Sequence, residues 1–269
     1  MSGKPPPRIL SIAGSDSSGG AGIQADIKTI AMLGGYAMTA ITAATAQNTV
    51  GVQAITPLSG SFVAQQIASC IDDIGVDAVK IGMLHDADII RHVAAALEAL
   101  PTEVPVVLDP VMIATSGDPL IAPDAIAAIE ALLFPRATVL TPNLPELEHM
   151  AGRRLPDSGL MEDAAASLAS RHGVHVLAKG GHTDDAQVID LLVAPDGKAL
   201  LYRHARLDTR HTHGTGCTLS AAIATLLGHG QPLEHAITLA RNFVWRAIQA
   251  APGFGAGNGP LGHQGVRAS

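Results

Sequence analysis

Aromatic side chains are scarce in this chain: four Phe, two Tyr and one Trp among 269 residues. Its core must be built from Ala, Ile, Leu and Val, the bulk of an apolar content of 47%. That palette suits helices alternating with buried parallel strands. Cysteine is limited to Cys70 and Cys217, too few for a disulfide framework, so a reducing cytoplasm is expected. Basic charge is also short, with 17 Lys and Arg against 24 Asp and Glu. A net charge of −7 gives no field that would gather nucleic acid or an anionic membrane, and neither is expected as a partner. Any anionic ligand needs local donors. Long apolar runs are missing as well. The stretch from Ile30 to Ala46 is broken by Gly34-Gly35 and three threonines, and it falls short of the roughly 18 residues of a membrane span.

What is present reads as one large α/β unit. The opening MSGKPPPR has prolines where a leader would need an apolar segment, so residues 1–7 are expected to form a disordered tail and 8–269 a single domain. Ile9 to Ala13 is a short apolar run leading into the glycine-rich GSDSSGGAG of Gly14 to Gly22, a strand followed by a loop, with Asp26 opening the next helix. The alternation continues. Helices are expected over Phe62 to Ile74, Ala87 to Leu100, Ala125 to Leu133 and Glu162 to His172, and strands over Ala78 to Ile81, Val104 to Leu108, Thr138 to Leu140 and Val174 to Ala178. Gln187 to Val193 and Lys198 to Arg203 flank the turn Ala194-Pro195-Asp196-Gly197, the pattern of an antiparallel hairpin at a sheet edge. Two helices close the chain, about Thr218 to Leu227 and Leu233 to Ala250.

Two loops invite a phosphate. In the first, Gly14 and Gly19 have the spacing of a P-loop, but Gly20-Ala21 stands where Lys-Ser/Thr is required, and no GxGxxG fits either. A tight strand-to-helix turn explains it equally simply. In the second, His211-Thr212-His213-Gly214-Thr215-Gly216-Cys217 opens a long apolar helix, leaving unpaired N–H groups at the positive end of a helix dipole. Its HxH spacing could suggest zinc, but no further ligand cluster accompanies it. Thr141-Pro142-Asn143-Leu144-Pro145-Glu146 sets Asn143 and Glu146 three residues apart at a helix entrance. They could serve as ligands or as an ordinary helix cap. Asp109 ends another strand, and ligands of parallel sheets gather at such ends. Two carboxylates beside a glycine-rich helix start would suit Mg-ATP.

Seven ordered segments run along nearly the whole chain: AGSDSSGGAGIQAD (Ala13 to Asp26), TAQNT (Thr45 to Thr49), DDIGVDAVKIGML (Asp72 to Leu84), LDPVM (Leu108 to Met112), TPNLPE (Thr141 to Glu146), KGGH (Lys179 to His182) and THGTGCTLSAAIA (Thr212 to Ala224). Together they resemble the ribokinase superfamily, and within it the hydroxymethylpyrimidine and hydroxymethylpyrimidine-phosphate kinases of thiamine synthesis. The resemblance implies a ribokinase-like fold: a mostly parallel central sheet flanked by helices, with an antiparallel edge hairpin. It implies ATP as co-substrate, Mg2+, and a small-molecule pyrimidine whose hydroxymethyl group, and then whose monophosphate, is phosphorylated. It also suggests a homodimer.

By the same resemblance, Gly14, Asp26, Gln47, Met83 and Val111 meet the pyrimidine, Asn143, Thr212 and Lys179 meet the nucleotide, and Asp109 and Glu146 sit near magnesium. Gly214, Thr215, Gly216 and Cys217 surround the transferring phosphoryl group together with Lys179. Cys217 stands where the wider superfamily carries an Asp base, and a helix N-terminus is expected to lower the pKa of its thiol. A pyridoxal or pyridoxine kinase is the nearest alternative, and Gln47 speaks against it. A carboxamide can pair with the adjacent donor and acceptor of an aminopyrimidine, a pair that pyridoxal lacks. A catalytically silent pyrimidine sensor on the same fold is a rival of another class, and retention of Asp109, Glu146, Lys179 and Cys217 argues against it. A dinucleotide oxidoreductase is more distant still, for want of a fingerprint after any strand.

Overall fold

In the computed structural model, residues 5–112, 121, 123–156, 158–181 and 187–266 are described. Nine strands form one sheet in the order β3-β2-β1-β4-β5-β6-β7-β8-β9. They are β1 (Arg8–Asp16), β2 (Tyr36–Gln47), β3 (Val52–Pro57), β4 (Ala78–Ile81), β5 (Val106–Leu108), β6 (Val139–Leu140), β7 (His175–Ala178), β8 (Gln187–Val193) and β9 (Ala199–Ala205). From β2 through β7 neighbouring strands run parallel. The edges are antiparallel, β3 on β2 at one end and β8 and β9 beyond β7 at the other. The ribokinase-like expectation is met, including the hairpin around Pro195-Asp196-Gly197.

Helices cover both faces. On one lie α1 (Gly22–Met32), α7 (Thr215–Gly228) and α8 (Leu233–Gln249). Ile30, Ile223 and Ile237 of these helices meet Ile9, Val107 and Leu177 of the sheet. α7 is buried from Thr218 through Leu226, as expected of a helix that is apolar on nearly every side. The other face holds α2 (Gly60–Asp73), α3 (Ala87–Leu97), α4 (Pro123–Leu132), α5 (Leu144–Ala151) and α6 (Ser158–His172). There Ile67, Ile90, Ile129 and Leu168 pack on Leu10, Val79 and Leu140. Successive strand residues point to opposite faces, so the short runs AVKI and VVL feed both cores at once.

Four details correct the sequence reading. α1 begins at Gly22, so Asp26 lies in its second turn and does not open it. The second and third strands went unrecognised, because Ala and Thr dominate β2 and its alternation is weak. Helix ends moved by up to four residues, as capping decides them: Ser59 and Asp86 cap α2 and α3 with side-chain oxygens. Of the proposed tail, residues 1–4 lie outside the described ones, while Pro7 is buried and its carbonyl accepts the Tyr36 N–H at 2.8 Å. His182 of the KGGH segment also lies outside the described residues.

Candidate functional site

The parallel strands end in a row, and each end delivers one polar or small residue to a common cleft. β1 ends at Gly14 to Asp16, β2 at Gln47, β5 just before Asp109, β6 before Asn143 and β7 before Lys179. The cleft measures about 770 Å³, open solvent at its mouth included, a size suited to a small organic ligand.

Backbone geometry assembles it. Gly214 adopts φ +84 at the start of α7, a conformation favoured only by glycine. A Cβ there would strike the Gly20 carbonyl, and one on Gly20 would strike the His213 ring. The two glycine-rich loops are thus packed against each other, and their glycines are needed for close approach. Lys179 is set by a bridge between Asn143 and Lys179 and by its N–H on the Pro142 carbonyl at 2.9 Å. Behind it, Asp190 takes the Gly180 N–H at 2.9 Å and Arg241 Nε at 2.7 Å.

One end of the cleft is cationic and acidic together. Lys179 Nζ lies 2.8 Å from Asp109 Oδ1, and Thr141 Oγ1 donates to the same oxygen at 3.0 Å. Burial disfavours the Lys179 charge, yet Asp109 and Glu146 hold its pKa above the ordinary value. Glu146 is pushed up to about 7, chiefly by burial and further by Asp109, against the pull of Lys179. It also forms a capping box: the Asn143 N–H donates to Glu146 Oε2 at 2.7 Å, and the Glu146 N–H to Asn143 Oδ1 at 2.9 Å. The helix-cap reading of this pair is therefore realised. Both residues line the cleft as well, and a carboxylate that caps with one oxygen keeps lone pairs for a second partner.

Cys217 lies in the first turn of α7, lines the cleft and carries a free thiol. Burial pushes that thiol up to about 11, and Asp26 and Asp109 add to the rise; Lys80 and the Gly22 N–H pull the other way. The depression expected from the helix N-terminus is outweighed by desolvation, so the thiol holds its proton at neutral pH.

Met83, which lines the cleft, is buried with Ala43, and Val52, Ile55 and Val111 pack against them. Gly14 leaves room for the Met83 methyl, which a Cβ would meet at 2.6 Å. Gln47 also lines the cleft.

Of the residues expected at the site, Gly14, Gln47, Met83, Asp109, Val111, Asn143, Glu146, Lys179, Gly214, Gly216 and Cys217 line this one cleft. Asp26 does not. It is wholly buried in an ion pair with Lys80, so its expected place at the pyrimidine is corrected to one behind the wall. Thr212 and Thr215 do not line the cleft either: the Thr215 hydroxyl donates to the Thr212 carbonyl at 2.6 Å, which shapes the loop. Three ionisable cleft residues, Asp16, Lys80 and His213, were missed. Asp16 accepts Ser18, Gly20 and Ala21 N–H groups at 2.8, 3.0 and 2.8 Å. Burial opposes its charge, yet His213 and these donors bring its pKa down to about 2. His213 had been weighed only as a zinc ligand, and no cluster of three or more His, Cys, Asp or Glu ligands occurs among the described residues. Lys80 had a legible signal, a charge in the middle of the apolar strand AVKI.

A mostly parallel sheet whose strand ends face a glycine-bounded helix start defines a ribokinase-like phosphotransferase. A family model described as phosphomethylpyrimidine kinase matches residues 16–262, and the chain belongs to that family. It is 43% identical over 258 residues to the hydroxymethylpyrimidine/phosphomethylpyrimidine kinase of Bacillus subtilis, covering 95% of this chain and 94% of that protein. It spans 35% and 52% of two longer relatives, the multifunctional ThiED protein of Corynebacterium efficiens and the bifunctional ThiED protein of Geobacter sulfurreducens. The phosphomethylpyrimidine kinase structure from Clostridium difficile superposes with a TM-score of 0.78 at 39% identity, over 90% of this chain and 99% of that one. The Staphylococcus aureus pyridoxal kinase in complex with AMP-PCP and pyridoxal gives 0.88 at 32% identity, over 97% and 94%.

Proposed function

We propose that this chain transfers the terminal phosphate of ATP to the hydroxymethyl group of 4-amino-5-hydroxymethyl-2-methylpyrimidine, and then phosphorylates the monophosphate to the diphosphate. The observation that carries this reading is the sharing of one cleft by the Gln47 carboxamide and the Gly214 to Cys217 helix start. An aminopyrimidine offers an adjacent donor and acceptor for a carboxamide, and the apolar group around Met83 and Val111 suits its ring and methyl.

Phosphoryl transfer depends on alignment and on neutralising charge that spreads over the equatorial oxygens. The N–H groups at the start of α7 would take that charge, with Lys179 beside them. Lys179 is shared with Asp109 at rest, so the phosphate competes for an ammonium already in position. Asp109 and Glu146 fit a magnesium ion bound mainly through water and phosphate, since two carboxylates are the usual protein share of such a site. When bound, that ion would supply further neutralisation of the phosphates. Cys217 is the candidate to take the hydroxyl proton, and its protonated resting state means it must first release its own.

The closeness to pyridoxal kinases makes vitamin B6 the competing substrate class. Incubation with Mg-ATP and, separately, hydroxymethylpyrimidine, its monophosphate and pyridoxal ranks the three. Preferential turnover of pyridoxal, or none at all, would overturn the proposal. Work as a homodimer in the cytoplasm belongs to the same proposal, and light scattering on the purified protein tests the dimer. Among the described residues no helix is long and apolar enough to cross a membrane.

A further inference from the structure

The antiparallel ladder between β7 and β8 ends at Ala178 and Leu191, one residue short of Lys179. Beyond it Gly180 runs so close over β8 that a Cβ would strike the Ile189 carbonyl. The Gly180 N–H is buried there, and a buried backbone donor needs an acceptor. Asp190 provides it, taking that N–H on Oδ1 at 2.9 Å, while its other oxygen takes Arg241 Nε at 2.7 Å. Arg241 is held in turn. Its Nη2 donates to the Val188 carbonyl at 3.3 Å, and its guanidinium carbon lies 5.6 Å from the centre of the Tyr202 ring. Asp190 and Arg241 are both buried. For stability alone such a pair offers little over well-packed apolar side chains. What an apolar residue at position 190 could not supply is the acceptor for Gly180.

We infer that Asp190 is a positioning residue for phosphoryl transfer, holding the Gly180 N–H so that Lys179 meets the start of α7 from a fixed backbone. This rests on the reading of Lys179 as the ammonium that faces the transferring phosphoryl group. The chain is tied down on either side of the Lys179 Cα: its own N–H goes to the Pro142 carbonyl at 2.9 Å, and the next, on Gly180, to Asp190. The side chain leaving that anchored point brings Nζ to 2.8 Å from Asp109 Oδ1 and against the first turn of α7, where a Cβ on Gly216 would meet it at 3.2 Å. That fit leaves little slack. Losing the Gly180 bond frees one side of the Lys179 Cα, and a shift of about 1 Å in a group that aligns reactants can cost about 10²-fold in rate. Asp190 does not line the cleft, so it acts through Lys179.

The test compares two double variants that both abolish the ion pair. Asp190→Leu with Arg241→Met lacks an acceptor for Gly180, whereas Asp190→Asn with Arg241→Met keeps one. Single-turnover phosphorylation at saturating Mg-ATP should be about 10–100-fold slower in the first pair and within about threefold of wild type in the second. The acceptor is hydroxymethylpyrimidine, or pyridoxal where the wild type prefers it, so the choice of substrate does not enter. Calorimetric affinity for that acceptor should stay within about twofold in both pairs; a general loosening of the fold would lower it. Hydrogen exchange at the Gly180 amide should be fast in the first pair and slow in the second. Adding Lys179→Ala to the first pair should slow transfer no further than Lys179→Ala does alone, because the effect passes through that ammonium. Should the first pair fail to fold, Gly180→Ala, which pushes the chain off the Ile189 carbonyl with the ion pair intact, takes its place with the same loss expected. Equal rates in the two pairs, a matching fall in acceptor affinity, or losses that add to those of Lys179→Ala would each overturn the inference. Wild-type turnover by Lys179→Ala itself would refute the reading of Lys179, and the inference with it.

Discussion

Lys80 Nζ lies 2.8 Å from Asp26 Oδ2, and neither side chain is exposed at all. Ser11 donates to the same oxygen at 2.6 Å, while Asp26 Oδ1 is buried without a hydrogen-bond partner. Burial raises the Asp26 pKa against the pull of Lys80, and Asp26 in turn keeps the Lys80 pKa above its ordinary value despite desolvation. A pair so enclosed costs a great deal to break and little to replace whole. Asp26→Ala is therefore expected to destabilise the protein by roughly 3–5 kcal/mol, whereas Asp26→Leu with Lys80→Met should recover much of that in urea unfolding. A change below 1 kcal/mol for Asp26→Ala would contradict the arrangement.

Gln47→Leu should reduce turnover of hydroxymethylpyrimidine about a hundredfold or more while changing that of pyridoxal only a few-fold. A site built to hydrogen-bond a substrate rejects partners strongly once its polar group is gone. Equal losses, measured as kcat/KM on both substrates, would remove Gln47 from recognition.

Glu146 has its folded pKa near 7, above the usual 4.5, so the sign of its linkage is unfavourable. Below pH 4.5 the group is protonated in both states and has no effect. As pH rises from there through 7, the unfolded chain ionises more readily and the folded protein loses stability. Glu146→Gln keeps the reciprocal cap and removes the charge. The variant should match wild type near pH 4 and exceed it at pH 8, by about 1–3 kcal/mol in magnesium-free buffer. It should also need more magnesium for activity. Thermal unfolding at the two pH values checks the first point; a gain at pH 4 instead would show the wrong origin.

Cys217 yields a pH prediction as well. With its thiol up at about 11 in the free protein, thiolate catalysis makes kcat/KM climb with nearly unit slope from pH 7 to 9. Cys217→Ser should slow the single-turnover step by roughly 10²–10⁴-fold with ATP affinity retained. Cys217→Asp should restore part of the rate and flatten the slope, because a carboxylate ionises at lower pH. A flat wild-type profile with near-normal Cys217→Ser turnover would leave catalysis to alignment and charge.

Much of the architecture was legible in the sequence because it is local. Apolar runs such as AVKI, the turn at Asp196-Gly197 and the apolar run after Gly216 each declare an element within a few residues. The weakly patterned β2, rich in Ala and Thr, was not legible, since its strand state comes from pairing with β1 and β3 along its length. The strand-end residues were legible too: in a parallel sheet, position at a strand's carboxyl end fixes convergence. Three things waited on tertiary structure. Whether Asp26 faces the cleft or the core depended on Lys80, 54 positions away. The state of the Cys217 thiol depended on how completely other elements desolvate it. The meeting of Asp16, His213 and Gln47 depended on two strand ends and a loop from distant parts of the chain coming to one point. The chain's local chemistry determined which residues could serve a phosphoryl-transfer site. Long-range packing, which sets desolvation and charge pairing, decided what each of them does there.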